Sequence, residues 1–233
     1  MRFGLQKMTL LDYPGKVSCT VFTSGCNFRC PFCHNASLVK LGNEEGMLEQ
    51  AELLEFLRRR TGILEGVCVT GGEPLLHPEL VDFLVEARSL DYPVKLDTNG
   101  SFPEQLKYVV ENGLVNYVAM DIKNTLEKYP VTAGFTNPAL LESVQESIAY
   151  LMQADVSFEF RTTVVKGFHT PEDFAEIGRW LAGAPRYFLQ KYKDSGDVLG
   201  DTAQMGPLSD DEMRQCLAAI QPFVPDAALR GVD

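Results

Sequence analysis

Read by its hydrophobic and polar positions, the chain alternates short apolar runs with amphipathic stretches throughout its length. Residues 17–22, Val-Ser-Cys-Thr-Val-Phe, are rich in β-branched and aromatic side chains and predict a first strand. Similar runs predict strands over 66–70, 94–97, 116–122, 158–165 and 186–192. Helices are predicted between them, over 48–60, 78–89, 103–111 and 138–153. In these, Leu80 with Leu84, Val81 with Val85, and Leu140, Val144, Ile148 and Leu151 recur at helical spacing. Thr170 followed by Pro171 marks an N-cap and first helical position. Ser209 with Glu212 three residues on marks a capping box. The acidic run Asp210-Asp211-Glu212 therefore reads as a helix start, and Arg58-Arg59-Arg60 as cations at a helix end.

Six strand–helix units in series predict an α/β fold with a parallel sheet and helices outside. Six are too few for an eight-unit barrel. The expected architecture is an open, partial (β/α)6 TIM-like barrel in a single domain over 1–233. Asp194 to Gly206 reads as an exposed loop.

Composition narrows the function classes. The chain has 233 residues, 45% of them hydrophobic, with no apolar run near the roughly 20 residues of a membrane span. Met1 to Leu11 lacks the basic start of a signal peptide, so a cytoplasmic protein is expected, with no membrane partner. A net charge of −11 argues against broad nucleic-acid binding, which needs a basic footprint.

Six cysteines remain to be explained. Cys19, Cys68 and Cys216 sit inside strand or helix patterns and read as buried core thiols. Cys26, Cys30 and Cys33 differ: they crowd one loop, Gly-Cys-Asn-Phe-Arg-Cys-Pro-Phe-Cys-His, directly after the first strand. Such spacing lets three thiolates converge, and thiolates suit zinc or iron–sulfur clusters. Structural zinc takes four ligands, and His34 adjoins Cys33 too closely for easy joint chelation. A cubane on three cysteines keeps one iron open to a small molecule. Further groups fall at the C-terminal ends of predicted strands, the edge where sites form in parallel α/β folds. These are Gly71-Gly72-Glu73-Pro74, Asp97-Thr98-Asn99-Gly100, and Asp121 with Lys123, two apart and about 6.6 Å along one face. The glycines permit close backbone approach, and Glu73 offers an acceptor to a cation. His77 and His169 read as ordinary polar positions, and Trp180 as helix packing.

The cysteine triplet, with Phe32 just before the third cysteine, resembles the radical S-adenosylmethionine superfamily. The glycine-glycine-glutamate-proline run resembles the stretch that binds the amino group of that cofactor. Together with Asp97, Thr98, Asp121 and Lys123, these pieces resemble the glycyl-radical-enzyme activases, in which the matching motifs bind the cofactor's carboxylate and ribose. The resemblance implies a 4Fe–4S cluster on Cys26, Cys30 and Cys33 and bound S-adenosylmethionine. It implies cofactor contacts from Phe32, His34, Gly71, Gly72, Glu73, Pro74, Arg161, Thr163, Leu189 and Tyr192, with Asn35 also matching the activases. It also implies a monovalent cation near Asp97 and Asp121. Reductive cleavage would give a 5′-deoxyadenosyl radical, with an electron from flavodoxin or ferredoxin. The stretch from Phe3 to Gly15 is most similar to activating proteins of anaerobic ribonucleotide reductase, which implies a glycyl-radical protein substrate. Activases of pyruvate formate-lyase have a proline-tyrosine-histidine stretch near the sixth strand. Here it is Leu-Gln-Lys-Tyr over 189–192, which counts against that partner. An activase of another glycyl-radical enzyme of the pyruvate formate-lyase type, a radical enzyme acting on a small molecule, and a non-catalytic metal-binding module are the alternatives.

Overall fold

A computed structural model describes residues 1–39, 46–193, 198–200 and 205–232. Most of the loop expected over Asp194 to Gly206 lies outside these residues. Among the described residues nine strands form one sheet: β1 (Arg2–Thr9), β2 (Ser18–Thr23), β3 (Leu48–Glu49), β4 (Gly66–Gly71), β5 (Val94–Thr98), β6 (Tyr117–Asp121), β7 (Ser157–Val164), β8 (Tyr187–Lys191) and β9 (Ala227–Arg230). Their order is β3-β1-β2-β4-β5-β6-β7-β8-β9. The run from β2 to β9 is parallel, and β1 joins it antiparallel to β2. The outer strands β3 and β9 do not pair with each other, so the sheet is a partial barrel.

Six of these strands, β2 and β4 to β8, are those the apolar runs predict. Three are additions. Leu48 and Glu49 were assigned to a helix but pair with Phe3 and Arg2. The helix starts two residues later than expected because the Glu49 N–H donates to the Glu52 carboxylate at 2.9 Å, making Glu49 the N-cap.

Helices α1 (Ala36–Val39), α2 (Gln50–Arg60), α3 (Leu80–Ser89), α4 (Pro103–Glu111), α5 (Tyr129–Ala133), α6 (Ala139–Leu151), α7 (Pro171–Trp180) and α8 (Asp210–Ile220) connect the strands. The predicted caps are present. Glu212 N–H donates to Ser209 Oγ at 3.2 Å, and Ser209 N–H returns to the Glu212 carboxylate at 2.7 Å. Leu53, Leu84, Val144 and Ile177 bring the apolar helix faces onto the core, where Cys19, Cys68 and Cys216 are fully buried. Among the described residues no helix is long and apolar enough to cross a membrane.

Register places the motifs on one rim. Thr23 aligns with Gly71, Asp97 with Ala119, and Asp121 with Arg161. Parallel strands end together there, so loops distant in sequence meet at the C-terminal edge.

Candidate active site

The cysteine loop leaves β2 and folds back on itself. Gly25 N–H donates to Leu38 O at 2.6 Å and Cys26 N–H to Val39 O at 3.1 Å. Cys33 N–H donates to Cys30 O, which makes the turn between the last two cysteines. The middle of the loop is held by α5: Arg29 N–H donates to Ala133 O at 2.8 Å, and Cys30 Sγ faces that carbonyl at 3.8 Å. The Phe28 and Phe135 rings pack at 5.1 Å.

Cys26, Cys30 and Cys33 line a cavity of about 240 Å³. Among the described residues no three Cys, His, Asp or Glu side chains close on one point as ligands of a single ion would. The thiols instead stand around a space. Burial pushes Cys26 up to about 12, with the Glu73 charge adding to it. Burial pushes Cys30 up to about 11, opposed by the Lys123 ammonium. A metal that binds here must displace these protons. Three soft donors around one cavity fit an iron–sulfur cluster.

The two glycines at the end of β4 answer to packing as well as to the cavity they line. Gly71 has φ 117°, and a Cβ there would lie 2.3 Å from Thr23 O. A Cβ on Gly72 would lie 1.9 Å from Gly25 O. Only glycine lets this turn sit against the base of the cysteine loop, where Gly72 N–H donates to Thr23 O and Glu73 N–H to Gly25 O.

Glu73 departs from its expected contact. Its carboxylate is fully buried and does not line the cavity. It accepts from Thr98 Oγ1 at 2.8 Å, from Asn99 N–H at 2.6 Å and from Leu75 N–H at 3.1 Å. Burial raises its carboxyl to about 7, against these three hydrogen bonds. Glu73 thus ties the β4 turn to the β5 turn. Pro74 is likewise buried and opens a short 3₁₀ turn, Pro74–Leu76, below the cavity.

A row of alternating charge crosses β5, β6 and β7. Lys95 pairs with Asp97 Oδ1, and Arg161 Nη2 with Asp97 Oδ2 at 3.1 Å. Arg161 Nε donates to Asp121 Oδ1 at 2.5 Å, and Lys123 Nζ to Asp121 Oδ2 at 2.8 Å. Burial alone would raise both carboxyls, but the facing cations win: Arg161 and Lys95 hold Asp97 low, and Arg161 and Lys123 hold Asp121 well below the usual range. All four carboxylate oxygens face a side-chain cation. His169, read as an ordinary polar position, is buried under this row. Val165 N–H donates to its Nδ1 at 3.1 Å, so Nε2 carries the proton and donates to Lys123 O at 2.8 Å.

Of the residues singled out from sequence, Cys26, Cys30, Phe32, Cys33, His34, Gly71, Gly72, Asp97, Thr98, Asp121, Lys123, Arg161 and Thr163 line the one cavity. Leu189 does not. It is fully buried on the far face of β8, while its neighbour Gln190 lines the cavity, as strand alternation requires. Tyr192 is also buried and acts through His34, stacking on that ring at 5.2 Å and 17°. His34 Nε2 bonds Lys193 O at 2.7 Å. Asn35 lines the cavity and donates to Gly71 O at 3.1 Å, and Asn99 donates to Asn27 Oδ1 at 3.0 Å.

The sequence profile of the Radical SAM superfamily matches residues 20–181. This chain belongs to the Radical SAM superfamily. It is a radical SAM enzyme, and its cofactors are the 4Fe–4S cluster and S-adenosylmethionine of that family. It is 26% identical over 235 residues to a protein of Methanocaldococcus jannaschii that carries a provisional name as a glycyl-radical enzyme activating enzyme; the match covers 99% of this chain and 95% of that one. It is 34% identical over 131 residues to the pyruvate formate-lyase-activating enzyme of Clostridium pasteurianum, covering 52% of this chain and 51% of that one. It is 28% identical over 188 residues to the GTP 3′,8-cyclase of Campylobacter lari, covering 76% of this chain and 57% of that one. Among solved structures, Streptococcus suis SuiB bound to S-adenosylmethionine superposes with a TM-score of 0.70 at 12% identity, over 90% of this chain and 49% of SuiB. That likeness establishes the shared radical SAM fold; this chain spans about half of SuiB.

Proposed function

We propose that this radical SAM enzyme is a glycyl-radical-enzyme activase, acting on an anaerobic ribonucleotide reductase. The observation that carries the activase reading is the near end-to-end match to the M. jannaschii protein, 99% of one chain and 95% of the other. The reductase as substrate rests on the N-terminal stretch from Phe3 to Gly15 and on the departure from proline-tyrosine-histidine at the sixth predicted strand.

In this reading Cys26, Cys30 and Cys33 would hold the cluster. When bound, the cluster and S-adenosylmethionine supply an electron and a carbon-centred radical that takes hydrogen from a glycine Cα. The chain's own residues orient and enclose. Lys123 and Arg161 present positive charge to the carboxylate of the cofactor, and Asp97 and Asp121 hold those cations in place. Gly71 and Gly72 offer backbone to the amino end. Phe32, His34, Thr98 and Thr163 shape the rest of the cavity wall. Tyr192 backs His34, and Glu73 fixes the two turns. Flavodoxin or ferredoxin serves as electron donor.

The test uses anaerobically reconstituted protein, dithionite and S-adenosylmethionine. 5′-Deoxyadenosine is expected, with a glycyl doublet in electron paramagnetic resonance only when the reductase is added. A doublet on pyruvate formate-lyase instead would move the substrate assignment. GTP is the control for the second reading, which the cyclase matches favour: turnover of GTP without any protein partner would replace the activase assignment.

A further inference from the structure

Lys95 occupies a strand position that shares a face with Asp97, where barrel interiors ordinarily carry branched apolar side chains. Its side chain is 3% exposed, between the buried Cys68 thiol at 3.8 Å and Asp97. Enclosing an ammonium costs several kcal/mol of hydration unless a partner offsets it. A methionine or leucine would fill the same space without that cost, so the ammonium needs a reason.

The charge row supplies one. It holds two carboxylates, Asp97 and Asp121, and three cations, Lys95, Arg161 and Lys123. All of these except Lys95 line the cavity. With Lys95 the row carries one surplus positive charge; without it the charges balance. Arg161 reaches Asp97 with Nη2 and Asp121 with Nε. Each carboxylate also has a second cation of its own. Lys123 provides it for Asp121, and Lys95 for Asp97.

We propose that Lys95 is a positioning residue of the cofactor site: from below the cavity its ammonium holds Asp97, keeps Arg161 bridged between two carboxylates, and gives the charge row behind the wall one surplus positive charge toward an anionic group. The inference rests on the reading that this cavity takes the carboxylate of S-adenosylmethionine.

The experiment is calorimetric titration of S-adenosylmethionine into the anaerobic, cluster-loaded protein without reductant, so that binding is read apart from turnover. Lys95→Met is expected to bind roughly tenfold or more weakly than wild type, with unchanged iron content. Lys95→Arg, which keeps the charge, is expected to stay within about threefold. Lys95→Ala is expected to regain affinity with propylammonium and not with 1-propanol, since the charge and not the filled volume is at work. This variant decides the case should the Met variant fail to fold. Equal affinity of Lys95→Met and wild type, or equal rescue by the alcohol, overturns the proposal. A wild-type protein that loads its cluster yet binds no S-adenosylmethionine removes the site reading itself, and with it this inference.

Discussion

Single residues divide into those that line the cavity and those that hold the liners. Cys30 is a liner with no substitute nearby: Cys19, Cys68 and Cys216 are each buried in the core. Cys30→Ala is expected to lower iron and sulfide to background after reconstitution, whereas Cys216→Ala retains both; retention by the Cys30 variant would break the ligand assignment. Glu73 is a holder, and its burial gives a pH signature. Its carboxyl titrates near 7 in the folded chain against 4.5 as the reference. Between those values the native state binds the extra proton, so this group's contribution to stability falls as pH rises. The difference in unfolding free energy between Glu73→Gln and wild type should shift toward the variant from pH 5 to pH 8, on the order of 3 kcal/mol. Denaturant melts at both pH values check this, and a shift of the opposite sign would refute it. The cysteine spacing was legible because its three thiols lie in one loop. Lys95, Asn99 and Gln190 were not, because their meaning lies in what adjacent strands bring beside them. For Lys95 a signal did exist: a charged residue within an apolar strand pattern.

At the level of elements, the six central strands and their helices could be read because burial on both faces leaves continuous apolar runs. The added strands carry no such imprint. β1 is an edge-side strand with Gln6 and Lys7 exposed and a shift of register before Thr9. β9 has four residues, and its place depends on a tertiary contact. Arg230 grips Glu159 with two hydrogen bonds of 2.8 and 2.9 Å and lies 3.4 Å over the Phe188 ring. Glu159 is 1% exposed, so losing Arg230 leaves a buried carboxylate held by the Tyr117 hydroxyl without its paired guanidinium. Arg230→Ala is therefore expected to destabilise the fold by about 2–4 kcal/mol in urea titration, and adding Glu159→Gln should recover much of it. Additive losses in the double variant would contradict the pairing.

For the whole molecule, the net charge of −11 sets the terms of encounter. An acidic electron carrier meets like charge at long range, and salt screens it over a Debye length of about 10 Å at 0.1 M. Reduction of the loaded enzyme by such a carrier is expected to quicken as salt rises from about 10 to 150 mM, followed by stopped-flow absorbance. A slowing would show that basic groups near the site govern the approach instead. Finally, α5 touches two things at once. Its Ala133 carbonyl receives Arg29 of the cysteine loop, while its Tyr129 hydroxyl donates to Asp121 O at 3.2 Å. Stiffening either end of this short brace stiffens the other, and linkage makes the benefit mutual. Iron occupancy is then expected to tighten the grip on the nucleoside, and a bound nucleoside to raise the affinity for iron by the same free energy, read by equilibrium competition with a chelator.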